Sequence, residues 1–107
     1  MDLVTEVYNI TKHFPKEEAY GLTSQLRRAA LSVPSNVAEG HGRNGSREFI
    51  HHLSIAHGSL SEVETQMEIA RRLGYTTQPQ LDKFSSLSAE TGRIINGLMN
   101  SLRKHAN

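Results

Sequence analysis

Apolar residues recur along this chain at alternating spacings of three and four, and the rhythm breaks at three clusters of proline or glycine. In the first segment Leu3, Val7, Ile10 and Phe14 form a stripe that Val4 and Tyr8 widen, predicting a helix from about Asp2 to His13 that Pro15 ends. Glu17 and Glu18, just after that proline, suit one extra turn over residues 16–20. The second segment, about Leu22 to His41, carries Leu22, Leu26, Ala29, Ala30, Val33 and Val37. This narrow stripe of small residues permits close helix approach. Pro34 lies inside it between Ser32 and Ser35; an internal proline costs a helix roughly 3 kcal/mol unless packing compensates, so a bend is expected there. Gly40, Gly42 and Gly45 mark the exit, and Asn44 or Ser46 is positioned to cap the next helix.

The third segment has the clearest seam: Phe49, Leu53, Ala56, Leu60, Val63, Met67 and Ala70 hold a four-three alternation through Leu73. A helix of that length measures about 40 Å. Gly58 at its middle suggests close packing, and Gly74 supplies the C-terminal stop. Thr77 followed by Gln80 reads as a capping box for a fourth helix. Its seam is Leu81, Phe84, Thr91, Ile95, Leu98 and Leu102, with Leu87 and Ile94 to one side and Arg103 and Lys104 complementing the terminal dipole. Four amphipathic helices joined by short turns predict an all-α, up-down-up-down four-helix bundle, a single domain over residues 1–107. The shorter first helix leaves part of the groove between the long ones uncovered, while Ile55, Ile69 and Met99 lie off the seams. From this we expect identical subunits to associate.

Composition narrows the setting more than the function. With no cysteine among 107 residues, disulfides and thiolate metal sites are excluded. Residues 1–14 lack the marks of a signal peptide and no apolar run approaches a membrane span, so a cytoplasmic protein is expected. Twelve Lys and Arg against eleven Asp and Glu leave a net charge of +1, which is no polycation. Eight of the cations are Arg, however, whose forked guanidinium suits carboxylate or phosphate.

The run QLRRAALSVPSNVAEGHGR, followed by SREF and then IAHGSLSEVETQMEIARRLG, and preceded by FPKEEAYGL, resembles the family of 23S ribosomal RNA intervening-sequence proteins. The likeness extends from about Val7 to Leu102. It implies a bacterial, homopentameric four-helix bundle, related in shape to the accessory protein of diversity-generating retroelements, which binds RNA and assists a reverse transcriptase. It implies no catalytic residues and no cofactor.

Four arginines are the nucleic-acid-binding candidates. Arg43 and Arg47 flank a glycine-rich turn at a helix start, where amides and guanidinium groups can hold phosphate oxygens. Arg27 and Arg28 sit on the second helix, with the blander alternative that they reach Glu62 or Glu64 on the third. No aromatic residue interleaves these cations, so no stacking platform is visible. Glu48 and His51 match the Glu-x-x-His spacing of di-iron bundles, with His52 and His57 nearby, but the second pair such a site needs is missing and no metal site is expected. Arg47 and His52 match the Arg-x4-His pattern of a ribonuclease superfamily. The expected function is therefore a non-enzymatic, homo-oligomeric scaffold or adaptor, pentameric by resemblance, with RNA or DNA bound through Arg43, Arg47 and neighbouring cations and a protein such as a reverse transcriptase as a further partner. The alternatives are a metal-independent ribonuclease using Arg47 and His52, or a purely structural assembly protein in which Arg27 and Arg28 serve subunit contacts.

Overall fold

A computed structural model describes residues 2–43 and 45–104. It contains four α-helices and no strand among those residues: α1 Asp2–Thr11, α2 Leu22–His41, α3 Ser46–Arg72 and α4 Gln78–Lys104, with one 3-10 turn, Lys16–Glu18, between the first two. Each long helix doubles back on its predecessor, giving a rod of 49 × 24 × 18 Å. No helix among the described residues is long and apolar enough to cross a membrane.

The core follows the stripes. Leu3, Val7 and Ile10 of α1 meet Leu26, Ala30 and Val33 of α2, Leu53, Ala56 and Val63 of α3, and Phe84 and Ile95 of α4, all buried. The most extensive packing is between α2 and α3, where Ala29 and Ala30 let the backbones approach. At Gly40 the two helices approach tightly: a Cβ added there would lie 2.7 Å from His52 Cβ and 3.0 Å from Phe49 Cδ1. Gly58 has the opposite role from the expected one, since it is exposed and an added Cβ would meet nothing within 4 Å. Pro34 is accommodated inside a continuous α2.

Two further sequence expectations shift. The first helix ends at Thr11 rather than His13; His13 and Phe14 then bond back to Ile10 and Thr11 in a tightened turn. In α4 the seam slips by one residue at its end, burying Met99 and leaving Leu98 36% exposed. Met99 stands eighteen residues after Leu81, five full turns at 3.6 residues each, so the two share one azimuth, whereas a strict heptad count drifts toward Leu98. Ser88 fills the seam between Phe84 and Ile95, and its buried hydroxyl donates to Glu64 of α3.

The closing turns are those the residues dictate. Gly74 takes φ 80°, while Tyr75 N bonds Ala70 O at 2.9 Å and Gly74 N bonds Arg71 O at 3.1 Å, the paired bonds of a Schellman stop. Thr77 and Gln80 form the reciprocal capping box, Thr77 N to Gln80 Oε1 at 2.9 Å and Gln80 N to Thr77 Oγ1 at 3.3 Å. At the head of α2, Gly21 brings no side chain, so Glu18 Oε1 accepts from Leu22 N at 3.3 Å. Glu18 Oε2 in turn accepts from Tyr75 Oη at 2.9 Å, tying the α1–α2 connection to the α3–α4 turn.

Candidate nucleic-acid interface

Of the four candidate arginines, Arg27 and Arg28 stand on two flanks of α2, while Arg43 and Arg47 bracket the turn into α3. Arg27 turns toward α1: its Nε donates to Thr11 Oγ1 at 2.8 Å and its guanidinium carbon lies 4.6 Å from the centre of the Tyr8 ring. Arg28 turns the other way, toward α3, and donates to Ser24 Oγ on its own helix at 3.3 Å. Neither makes an ion pair with Glu62 or Glu64, which corrects that alternative. The acids are otherwise engaged: Glu62 accepts from Gln66 Nε2 at 3.2 Å, and Glu64 accepts from Ser88.

Along the α2–α3 flank a ladder of polar pairs stands outside the apolar seam. Ser32 Oγ lies 2.8 Å from Ser59 Oγ. Asn36 Nδ2 donates to Ser32 O at 2.8 Å and to Ser32 Oγ at 2.9 Å, which leaves Asn36 Oδ1 facing His52 Nδ1 at 3.3 Å. Because a carbonyl only accepts, the Asn36 amide is oriented by Ser32 O, and His52 must carry its proton on Nδ1 to complete the chain. His52 is thus committed to bridging α2 and α3.

At the end of this flank α2 gives way to α3 through a turn in which Gly45 takes φ 96°, a left-handed conformation suited to glycine. Gly45 is itself the N-cap and brings no side-chain oxygen to the first amides of α3; Ser46 is the first helical residue rather than the cap, and Asn44 lies outside the described residues. Arg43 pairs with Glu39 at 2.6 Å across one exposed turn, a contact worth at most about 1 kcal/mol and easily exchanged for another anion. Arg47 is exposed and makes no side-chain bond or ion pair among the described residues. A hollow of about 340 Å³ lined by His41, Arg43, Gly45, Ser46, Phe49 and Leu102 brings the last turn of α4 to the same place, so Arg103 and Lys104 join Arg43 and Arg47 at one end of the rod. The sequence assigned those two residues only to the helix dipole; their pairing with the α2–α3 turn follows from the antiparallel topology.

A second surface lies on the opposite flank. At the first turn of α1 a groove of about 200 Å³ opens between α1, α2 and α4, walled by Leu3, Val37, Leu87, Ile94 and Leu98 with Asp2 and Glu90 at its rim. Ile94 is 58% exposed. Ile55 and Ile69 of α3 are exposed as their off-seam positions predict. Glu48 and His51 gather no third ligand: no group of three or more His, Asp or Glu able to hold a metal ion occurs among the described residues.

Comparison with known proteins agrees with this architecture. A solved structure described as a protein with unknown function from the S23 ribosomal protein family of Bacteroides thetaiotaomicron superposes with a TM-score of 0.84 at 21% identity, covering 92% of each chain. At that identity the likeness establishes the fold alone. No curated protein matches the sequence. The family model described as 23S rRNA-intervening sequence protein matches residues 1–97, and a match over so much of the chain means that it belongs to that family.

Proposed function

We propose that this protein is a non-enzymatic helical scaffold that self-associates, pentameric as the family resemblance implies, and that grips RNA or DNA through its cationic end in the cytoplasm. The observation that carries the reading is the open apolar groove beside α1. Leu87, Ile94 and Leu98 of α4 form one contiguous strip there, beside the first turn of α1. A second copy laid on that strip removes it from water at roughly 25 cal/mol per Å².

Self-association changes what a weak basic patch can do. One subunit carries a net charge of +1 and a handful of clustered cations, Arg43, Arg47, Arg103 and Lys104. Repeating that cluster around an assembly raises its effective concentration on one polyanion, so modest sites add to a firm, salt-sensitive grip. A protein partner such as a reverse transcriptase would then be held beside the nucleic acid.

Light scattering at micromolar concentration, together with retention of labelled RNA at increasing salt, tests the reading. An oligomer that retains intact RNA at low salt and releases it steeply as salt rises supports it. A stable monomer, or an oligomer indifferent to RNA and DNA, overturns it. Cleavage of the RNA in chelator, lost in His52→Ala, would replace it with the ribonuclease alternative.

A further inference from the structure

The α2–α3 flank holds a groove that nothing above has used. It has a volume of about 360 Å³ and is lined by Tyr20, Gln25, Arg28, Ser32, Ser59 and Glu62. Tyr20, just ahead of α2, is 100% exposed, an aromatic side chain with nothing covering it. Arg28 lines the same groove, and its bond to Ser24 is a long one. Arg28 and Glu62 share the groove without forming an ion pair, so it presents a cation and a carboxylate separately. Behind the wall, Gln66 is 8% exposed and spends its amide protons on Gln25 Oε1 at 3.5 Å and Glu62 Oε1 at 3.2 Å. Its buried Oε1 has no donor, and buried acceptors without partners are uncommon.

We infer that this groove receives one nucleotide of a single-stranded nucleic acid, with the base stacked on Tyr20 and its phosphate held by Arg28. The inference rests on the nucleic-acid reading above and names the ligand class. A nucleotide is a flat ring bearing N–H donors joined to an anionic phosphate, and the groove offers the complementary set of groups. Tyr20 supplies the stacking face, which every base can use. Glu62 and the serine hydroxyls accept from exocyclic or ring N–H groups on the base edge. Arg28 forks onto phosphate oxygens. Arg28 also lies on the helix that leads to the cationic end: α2 runs thirteen residues further to His41, roughly 20 Å, with Arg43 in the turn just beyond. One strand can therefore lie along the flank and touch both.

The test is fluorescence anisotropy at low salt with a short labelled single-stranded RNA and with the same strand made abasic. Because Tyr20 and Arg28 are exposed, Tyr20→Ala, Tyr20→Trp and Arg28→Ala are expected to unfold at the wild-type temperature, which circular dichroism checks. Tyr20→Ala should weaken binding about 10-fold, Tyr20→Trp should restore it, and the abasic strand should bind wild type more weakly but Tyr20→Ala no worse than the intact strand. Arg28→Ala should lower the slope of affinity against salt by about one unit. If Tyr20→Ala and Arg28→Ala bind as wild type while Arg47→Ala does not, the groove is not a nucleotide site although the cationic end still is one. If wild type retains no strand at all, the nucleic-acid reading itself falls. A change in oligomer mass on Tyr20→Ala, with binding unaltered, would make the groove a contact between copies and overturn the inference.

Discussion

The two flanks of α2 are built from opposite chemistry. Toward α1 and α4 the helix shows Val37 to an apolar groove, and its one long polar side chain, Arg27, is consumed by Thr11 and Tyr8. Toward α3 it shows Gln25, Arg28, Ser32 and Asn36, each answered by a polar partner or by solvent. Both flanks border the same buried stripe of Leu26, Ala30 and Val33. The difference lies in what each leaves unfinished: the α1 side leaves greasy surface, which another protein surface can cover, and the α3 side leaves cations and hydrogen-bonding groups, which a polyanion can. The proposed adaptor would need both, and their separation on two flanks would let assembly and ligand binding proceed without competing.

The sharpest way to break the comparison is at Gly40, where the α3 flank is held together. Gly40→Val would drive a side chain into His52 Cβ and the Phe49 ring, and we expect it to cost about 3 kcal/mol or more. That corresponds to a fall in unfolding midpoint of at least about 10 °C for a chain of this size. Gly58→Ala is the control. An added methyl there meets nothing, so relief of glycine's helix penalty should raise stability by roughly 0.5 to 1 kcal/mol. Differential scanning calorimetry on the pair measures both, and equal effects would mean that α2 and α3 are not in close contact at Gly40.

Next in size is the apolar flank. Ile94→Asp places a charge on the exposed strip without touching the core, since Ile94 is 58% exposed while Ile95 beside it is buried. Association should weaken by about 2 kcal/mol or more, because a charged group enclosed in an apolar contact without a partner is costly. Sedimentation should then show a smaller species with an unchanged helical spectrum. Retention of RNA should fall in parallel even though no cation was removed, which is the signature of a multivalent grip. Unaltered mass would place the contact between copies elsewhere.

How far the sequence could be read follows the same division. The buried stripes are periodic, and periodicity is visible without coordinates: Leu3, Val7, Leu53, Val63 and Phe84 fall where spacing puts them. Gly74 and the Thr77–Gln80 box act through neighbours in sequence, so they too were legible. What escaped depends on azimuth and on partners distant in the chain. Met99 and Leu98 exchange places because a small drift per turn accumulates over five turns. Gly40 and Gly58 look alike in a helical segment, and which one faces a neighbour is decided by packing. Arg27 and Arg28 are adjacent in sequence yet point to different flanks, which one helical step of about 100° accomplishes. Tyr20 could have been suspected, since no apolar residue stands three or four positions after it. Its shared groove with Arg28 could not, because the connection leading into α2 sets where its ring stands.

A smaller effect probes the polar ladder itself. Asn36→Ala removes the bonds to Ser32 and His52 while leaving Ser32 and Ser59 in contact, and should cost about 1 kcal/mol, measured by urea unfolding. If the ladder served only ligand binding, stability would be untouched.

The smallest effect expected comes from the point at which α2 begins, where both flanks share one anchor. Tyr75 donates to Glu18 Oε2, and Glu18 Oε1 receives the first amide of α2. That hydrogen bond to the carboxylate, with lesser contributions from burial and from the charges of Glu18 and Glu17, raises the Tyr75 phenol above its ordinary value of 10.0. Its folded-state pKa therefore exceeds the unfolded one. The bond's stabilisation is fully present below pH 10 and is lost as pH rises through the higher folded value, because a phenolate beside Glu18 both loses its proton and repels the carboxylate. Wild type should thus lose a slight stability advantage over Tyr75→Phe on titration into strong alkali, measured as the difference in urea midpoint between the two proteins. Since the anchor precedes the divergence of the flanks, Tyr75→Phe at neutral pH should leave oligomer mass and RNA retention equally unaffected. A change in one alone would show that α2 transmits its starting position to a single face, and that the two flanks are not equally rigid.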